Sequence, residues 1–196
     1  MVWKYKTSGI PDELFERLPG IPLTKREVRL LILSALRLED KSVIWDIGAG
    51  TGTVSIEMGL LCPQSEILAI ERDPEIVSLI KKNSKKFKVT NVTVMEGCAP
   101  DCLGEIKSKP DRVFIGGSKS VKAVLTEVWD NLQGGGRVVA IASNLENLYQ
   151  LSEGLAQLHA RNIEVVQSSI NRLETRGISQ VFAAIAPVFI LSGEKI

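Results

Sequence analysis

The feature that most constrains the fold is the run Val43-Ile44-Trp45-Asp46-Ile47-Gly48-Ala49-Gly50-Thr51-Gly52. Five strand-like residues, mostly apolar, lead directly into three alternating glycines, and a segment of helical character follows. Glycine suits each position for a separate reason: the chain must turn sharply out of a strand, its backbone must approach a ligand closely, and the next helix must pack near the strand. The spacing narrows the possibilities. A dinucleotide fingerprint would place its third glycine at position 53, where this chain has Thr53, and the third glycine is Gly52 instead. The stretch reads as a nucleotide-cofactor loop at the head of an α/β unit.

Along the chain, apolar strand-like runs alternate with segments of helical period, as in a parallel sheet covered on both faces. Strands are expected over 43–47, 67–71, 92–96, 112–115, 137–142, 163–168 and 180–190, with helices in most of the gaps. Asp73-Pro74 should open a helix with proline in its first turn, Ser118 can cap the next, and Gly134-Gly135-Gly136 should turn the chain before the fifth strand. Residues 171–179 are too few for a helix, so the last two strands should form an antiparallel hairpin at the sheet edge. Ahead of the core, residues 1–23 are rich in Pro and Gly, and Thr24-Lys25-Arg26-Glu27 has the pattern of a capping box. In such a box Thr24 accepts from the Glu27 amide and the Glu27 carboxylate returns to the Thr24 amide. The expected organisation is one domain, with residues 1–38 as an N-terminal lid segment and helix and 39–196 as the core.

Composition bounds the function. A chain of 196 residues with 44% hydrophobic content suffices for one continuous core. Its 24 basic and 23 acidic residues leave a net charge of +1, which disfavours a nucleic-acid partner. No stretch approaches the roughly 18 apolar residues of a membrane span, and Lys4, Lys6, Asp12 and Glu13 do not suit a signal peptide, so a cytoplasmic protein is expected. Cys62, Cys98 and Cys102 form no C-x-x-C, and His159 is the only histidine, so neither a disulfide framework nor a Cys/His metal site is expected.

The candidate site follows from the glycine loop. In open α/β sheets a ligand sits beyond the carboxyl ends of the strands, at the switch point beside the first one. Glu71, at the end of the second strand, can accept from both hydroxyls of a ribose. Asp46 could reach a ligand ammonium through water or merely cap loop amides; the sequence leaves both open. After the third strand comes Cys98, a weak acceptor; in the S-adenosylmethionine methyltransferases that the glycine loop resembles an acid meets adenine at this position, so the resemblance implies adenine recognition by backbone groups around Cys98 and Ala99.

G-x-G-x-G after a strand ending in an acid resembles motif I of class I S-adenosylmethionine (SAM) methyltransferases. Leu23-Thr24-Lys25-Arg26-Glu27-Val28-Arg29, the Trp45 to Gly52 loop, Glu96-Gly97-Cys98-Ala99-Pro100 and Ile115-Gly116-Gly117-Ser118 together resemble the CbiT-type decarboxylating precorrin methyltransferases. The resemblance implies a Rossmann-like, seven-stranded, mostly parallel sheet of order 3-2-1-4-5-7-6 with strand 7 antiparallel. It implies methylation of C15 of a precorrin or cobalt-precorrin, with decarboxylation of the C12 acetate side chain, in cobalamin biosynthesis. It implies a SAM site at Thr24, Gly48, Ala49, Gly50, Thr51, Gly52, Glu71 and Ala99, a tetramer, and a companion C5-methyltransferase on another protein. No metal and no general base is implied. A substrate with many carboxylates needs cations, and Lys25, Arg26, Arg29, Lys119, Arg172 and Arg176 are the expected rim. Competing expectations are an RNA or protein methyltransferase, a non-catalytic SAM-binding subunit, or a nicotinamide-binding module.

Overall fold

A computed structural model of the chain describes residues 2–118 and 120–196. Lys119, one of the expected rim cations, lies outside the described residues. Seven strands, β1 (Val43–Ile47), β2 (Glu66–Glu71), β3 (Val92–Glu96), β4 (Arg112–Ile115), β5 (Arg137–Ala142), β6 (Arg161–Arg176) and β7 (Ser179–Glu194), form one sheet. Their order is β3-β2-β1-β4-β5-β7-β6. The first five pair in parallel, and β7 runs antiparallel to both β5 and β6.

The continuous apolar runs of the central strands are explained by burial on both faces. Within β1, Trp45 and Ile47 join one core with α4 (Val121–Asn131) and α5 (Leu145–Gln157). Ile44, on the alternate face of the strand, joins the opposite core with α1 (Arg26–Leu36) and α2 (Thr53–Leu61). The same alternation splits Val113 and Ile115 from Phe114 in β4. A third cluster, Ile10, Phe15, Leu23, Ile56, Phe87 and Val89, binds the N-terminal segment against α2 and the end of α3 (Pro74–Phe87).

Helix punctuation is partly as expected. Asp73 caps α3, its carboxylate accepting from the Glu75 and Ile76 amides at 2.9 and 3.4 Å, with Pro74 next. Gly135 takes φ +77° in the turn before β5. The capping box does not form. Helix α1 begins at Arg26 behind an extended Lys25 that makes no side-chain cap bond. The Arg26 amide donates instead to Asp12 Oδ1 at 3.0 Å, and the Glu27 carboxylate accepts from Arg172. Both partners come from distant segments, and both are charge-assisted, which makes them stronger than the local threonine cap they replace. Ser118 likewise does not cap α4; its hydroxyl accepts at 3.1 Å from the amide of Ser120, the residue directly before the helix. The terminal hairpin is much longer than expected. Residues 171–176 and 179 are strand, and only Gly177 (φ +63°) and Ile178 turn the chain.

Candidate active site

Four strand ends, those of β1 to β4, are stitched together at the carboxyl edge of the sheet. The Gly48 and Ala49 amides donate to the Ile70 carbonyl at 3.0 and 3.1 Å, Gly97 N–H donates to the Glu71 carbonyl at 3.0 Å, and Gly116 N–H donates to the Ile47 carbonyl at 2.8 Å. Beyond them lies a cavity of about 450 Å³ lined by Gly48, Gly50, Glu71, Gly97, Cys98, Ala99 and Gly117, with an apolar contribution from Ile47, Ile70 and Ile76.

The three glycines of the loop divide their work. All take positive φ: 69° at Gly48, 55° at Gly50 and 75° at Gly52. A Cβ on Gly48 would stand 2.3 Å from the Gly117 carbonyl oxygen, so this glycine lets the loop after β4 lie on the loop after β1. A Cβ on Gly52 would meet Ile80 of α3 at 2.8 Å, so this one serves helix packing. Gly50 alone has open space beside it, its nearest atom the Gly48 carbonyl oxygen at 4.0 Å, and it faces the cavity. Close approach of a ligand to the backbone is thus a matter for Gly50.

Glu71 is fixed before any ligand arrives. Its Oε2 accepts from the Gly50 amide at 3.1 Å, and its Oε1 accepts from the Arg72 and Asp73 amides at 2.9 and 3.2 Å. Oε2, with a single amide donor, keeps an acceptor site for a hydroxyl in the cavity that Glu71 lines, whereas Oε1 already accepts from two amides. Asp46 accepts from no loop amide, so of the two roles left open for it the capping one is not seen. It is wholly buried beneath the loop, one oxygen accepting from the Ser55 hydroxyl of α2 and Oδ1 left without a partner. Burial pushes its carboxyl up to about 7, against the lowering effect of Ser55, with the charge of Glu71 adding to the rise. Cys98 is exposed on the wall and its thiol contacts the Ala99 carbonyl at 3.8 Å, too weak an interaction to stand in for an acid. Burial pushes the neighbouring Cys102 thiol up, away from nucleophilic use.

Of the expected cofactor residues, Gly48, Gly50, Glu71 and Ala99 line this cavity. Ala49, Thr51 and Gly52 shape the loop from behind: Thr51 is buried, with its carbonyl accepting from Asn83, and Gly52 is the residue ahead of α2. Thr24 lies on the wall of a second cavity of about 540 Å³, with Leu23, Lys25, Val28, Ile141, Arg172 and the run Ala183-Ala184-Ile185-Ala186. The two cavities abut. Pro22 lines both, and Gly116 lines the second while Gly117 lines the first. Sequence reasoning missed Ile21 and Pro22, Ile76, and the apolar floor supplied by β7; Ile76 follows the recognised Asp73-Pro74 helix start and could have been found from it.

The expected cationic rim is corrected at Arg29. Its side chain has no exposure and is spent inside the fold, donating to Glu57 at 2.7 Å, Asp12 at 2.8 Å, and the Thr24 and Ile10 carbonyls. A helix position cannot be read for depth when the segment that covers it lies elsewhere in sequence. Arg176 pairs with Glu174 near the hairpin tip and does not line either cavity, and Arg26 pairs with Glu27. Lys25 and Arg172 are the rim residues that reach the second cavity.

The chain matches the model of the precorrin methyltransferase domain over residues 15–195. It belongs to that family. A probable cobalt-precorrin-6B C(15)-methyltransferase (decarboxylating) of Saccharolobus solfataricus is 36% identical over 198 residues, covering all of both chains. The crystal structure of a precorrin-6y C5,15-methyltransferase from Geobacter metallireducens superposes with a TM-score of 0.89 at 37% identity, over 96% of this chain and 98% of that one. A precorrin 8W decarboxylase from Methanobacterium thermoautotrophicum gives 0.86 at 31% identity, over 94% and 98%. The sheet order found here is the one the family resemblance implies, so the fold expectation holds in full. Among the described residues no cluster of three His, Cys, Asp or Glu side chains is placed to hold a metal ion, and no helix is long and apolar enough to cross a membrane.

Proposed function

We propose that this chain binds SAM in the first cavity and a precorrin or cobalt-precorrin in the second, methylating C15 and releasing the carboxyl of the C12 acetate as carbon dioxide, in cobalamin biosynthesis. The observation that carries the reading is the direct abutment of the two cavities across Pro22 and Gly116-Gly117. One is polar at Glu71 and Gly50, as a nucleoside and amino acid require. The other is floored by apolar side chains with two cations at hand, as a flat carboxylate-bearing ring requires.

SAM supplies the electrophilic methyl group when bound. Glu71 holds the ribose hydroxyls, Gly50 admits close approach, Ile47, Ile70, Ile76 and Ala99 enclose apolar parts, and Ala49, Thr51 and Gly52 keep the loop in shape. Thr24 touches the boundary between cofactor and acceptor. A meso carbon of the conjugated ring is enamine-like, so the protein need only align it with the methyl and exclude water. The ring π system takes the electron pair left by departing carbon dioxide. Lys25 and Arg172 hold ring carboxylates. Residues 1–38 act as lid segment and first helix on the 39–196 core, within one domain. The enzyme is a cytoplasmic homotetramer working beside a separate C5-methyltransferase.

The test is incubation with methyl-labelled SAM and both the cobalt-bearing and cobalt-free ring substrates, following methyl transfer and carbon dioxide together. Both should appear, in equal amounts. SAM binding without turnover of either ring, or tighter binding of NAD than of SAM, overturns the proposal.

A further inference from the structure

The second cavity is proposed above to take a polyanion, yet its side chains do not add up to a cationic site. Lys25 and Arg172 share it with Glu174, and Arg172 already holds two acids. Arg172 Nε donates to Glu27 Oε1 at 3.0 Å and Nη2 donates to Glu27 Oε2, while Nη2 also reaches Asp12 Oδ2 at 3.1 Å. The guanidinium of Arg172 is thus paired edge to edge with a carboxylate, the geometry an acetate or propionate arm of a ligand would adopt.

The two acids differ in how firmly they are held. Asp12 is buried and is bonded also to Arg29 at 2.8 Å and to the Arg26 amide at 3.0 Å, so it stays in place whatever Arg172 does. Glu27 is one-fifth exposed, and its one other side-chain partner among the described residues is Arg26 at 3.0 Å, itself 43% exposed. Glu27 can therefore turn away to Arg26 and water while Asp12 keeps Arg172 aimed. Titration cannot do this. The hydrogen bond from Arg172 leads the effects that hold the Glu27 carboxyl down to about 2, so it remains a carboxylate in any ordinary buffer.

We propose that Glu27 is an internal carboxylate that occupies Arg172 in the resting enzyme, is displaced by a carboxylate arm of the acceptor, and so sets the affinity for that acceptor. The inference rests on the acceptor-site reading given above. It explains why a pocket for a polyanion carries an acid in contact with its best-placed cation. Arg172 is kept in one rotamer before binding, which lowers the ordering cost of the new pair. Competition by a bidentate acid also rejects ligands that offer only a single acceptor atom, which is specificity by exclusion.

The experiment uses the full chain with SAM present and uroporphyrin, a tetrapyrrole with acetate and propionate arms, as the fluorescent probe. Glu27→Gln should tighten uroporphyrin binding by about 3- to 10-fold, with SAM affinity unchanged. Glu27→Ala, which leaves no acceptor atom at all, should tighten it at least as much and covers the case in which the glutamine amide oxygen still engages Arg172. Arg172→Ala should weaken binding tenfold or more, and the double variant Glu27→Gln/Arg172→Ala should behave as Arg172→Ala alone. With the ring substrate, Glu27→Gln should lower KM and move kcat little. If Arg172→Ala weakens binding but neither Glu27 variant tightens it, the exchange is overturned and the acceptor site stands. If Arg172→Ala leaves uroporphyrin binding unchanged, the acceptor-site reading falls with it.

Discussion

Alanine at Gly48 and alanine at Gly50 should give opposite phenotypes, although the two glycines are two residues apart in one loop and share positive φ. Either substitution puts an L side chain in the left-handed region, at about 1 kcal/mol or somewhat more. At Gly48 the new methyl also falls 2.3 Å from the Gly117 carbonyl oxygen, which is backbone and cannot swing aside. The β4 loop must retreat by roughly 1 Å to restore ordinary contact, at about 1–3 kcal/mol on the scale of overpacked cores. The total for Gly48→Ala is about 2–5 kcal/mol, which for a chain of this length lowers Tm by on the order of 10 °C. Gly50→Ala meets no protein atom nearer than 4.0 Å, so only the backbone cost of about 1–2 kcal/mol applies and Tm should fall by about 2–8 °C. The methyl would project into the space a ligand needs, and SAM affinity should drop by about tenfold or more, since 1.4 kcal/mol is a factor of ten. Scanning calorimetry and titration calorimetry with SAM on both variants decide the matter. Equal destabilisation by the two substitutions, or normal SAM binding by Gly50→Ala, refutes the division of roles.

Two further outcomes follow from buried charge. Asp46 keeps its proton to about pH 7 when folded and loses it near 4 when unfolded, so the folded state binds the extra proton between those values and stability falls as pH rises through them. Wild type should lose up to roughly 2 kcal/mol between pH 5.5 and 7 in urea unfolding, and Asp46→Asn should remove that slope. Glu16, Glu27, Glu153 and Glu194 do not mask it, because their carboxyls are lowered and cost stability only as pH falls below the ordinary glutamate range. An unchanged slope in Asp46→Asn would sink the assignment. Arg29→Met should destabilise by about 3–5 kcal/mol in the same assay, because Glu57 is left buried without a cation and Asp12 keeps only Arg172. Arg29→Lys should recover only part, lacking the fork that reaches both acids; a loss below about 1 kcal/mol for Met would refute a structural role.

The legible parts of this chain were those whose cause is local. Strands β1, β4 and β5 begin and end where their apolar runs do, because burial on both faces writes a continuous hydrophobic signal into each, while the half-exposed edge strand β3 was legible from its alternation of Val92 and Val94 with Thr93. The α3 cap was legible because Asp73 bonds amides two and three residues on. The hairpin misled for the opposite reason. Its distal half is largely exposed, with Leu173, Ile178 and Phe182 in solvent and Asn171, Arg172 and Gly177 among them, so neither alternation nor a continuous run marks it as strand. Pairing along β6 and β7, from Arg176 opposite Ser179 inward, extends the ladder where side-chain pattern gives no sign.

At the site, the glycine loop and Glu71 were visible because the chain reverses there within a few residues, and the strand that carries Glu71 is adjacent in order. What could not be read was the N-terminal segment, and it changes the chemistry most. Asp12 alone bonds the Arg26 amide, Arg29 and Arg172, three groups the sequence presents as a helix start, a rim cation and a loop cation. Once it does so, Arg29 becomes interior structure, Thr24 loses its cap and moves to the acceptor wall, and Glu27 is left to face Arg172. The same segment supplies Ile21 and Pro22 to the cofactor cavity and Pro22 to its neighbour. A contact made across 160 residues of chain, such as that from Arg172 to Asp12, has no local trace. The N-terminal segment therefore both stands between the two cavities at Pro22 and decides, through one aspartate, which of the nearby cations stays available to an acceptor.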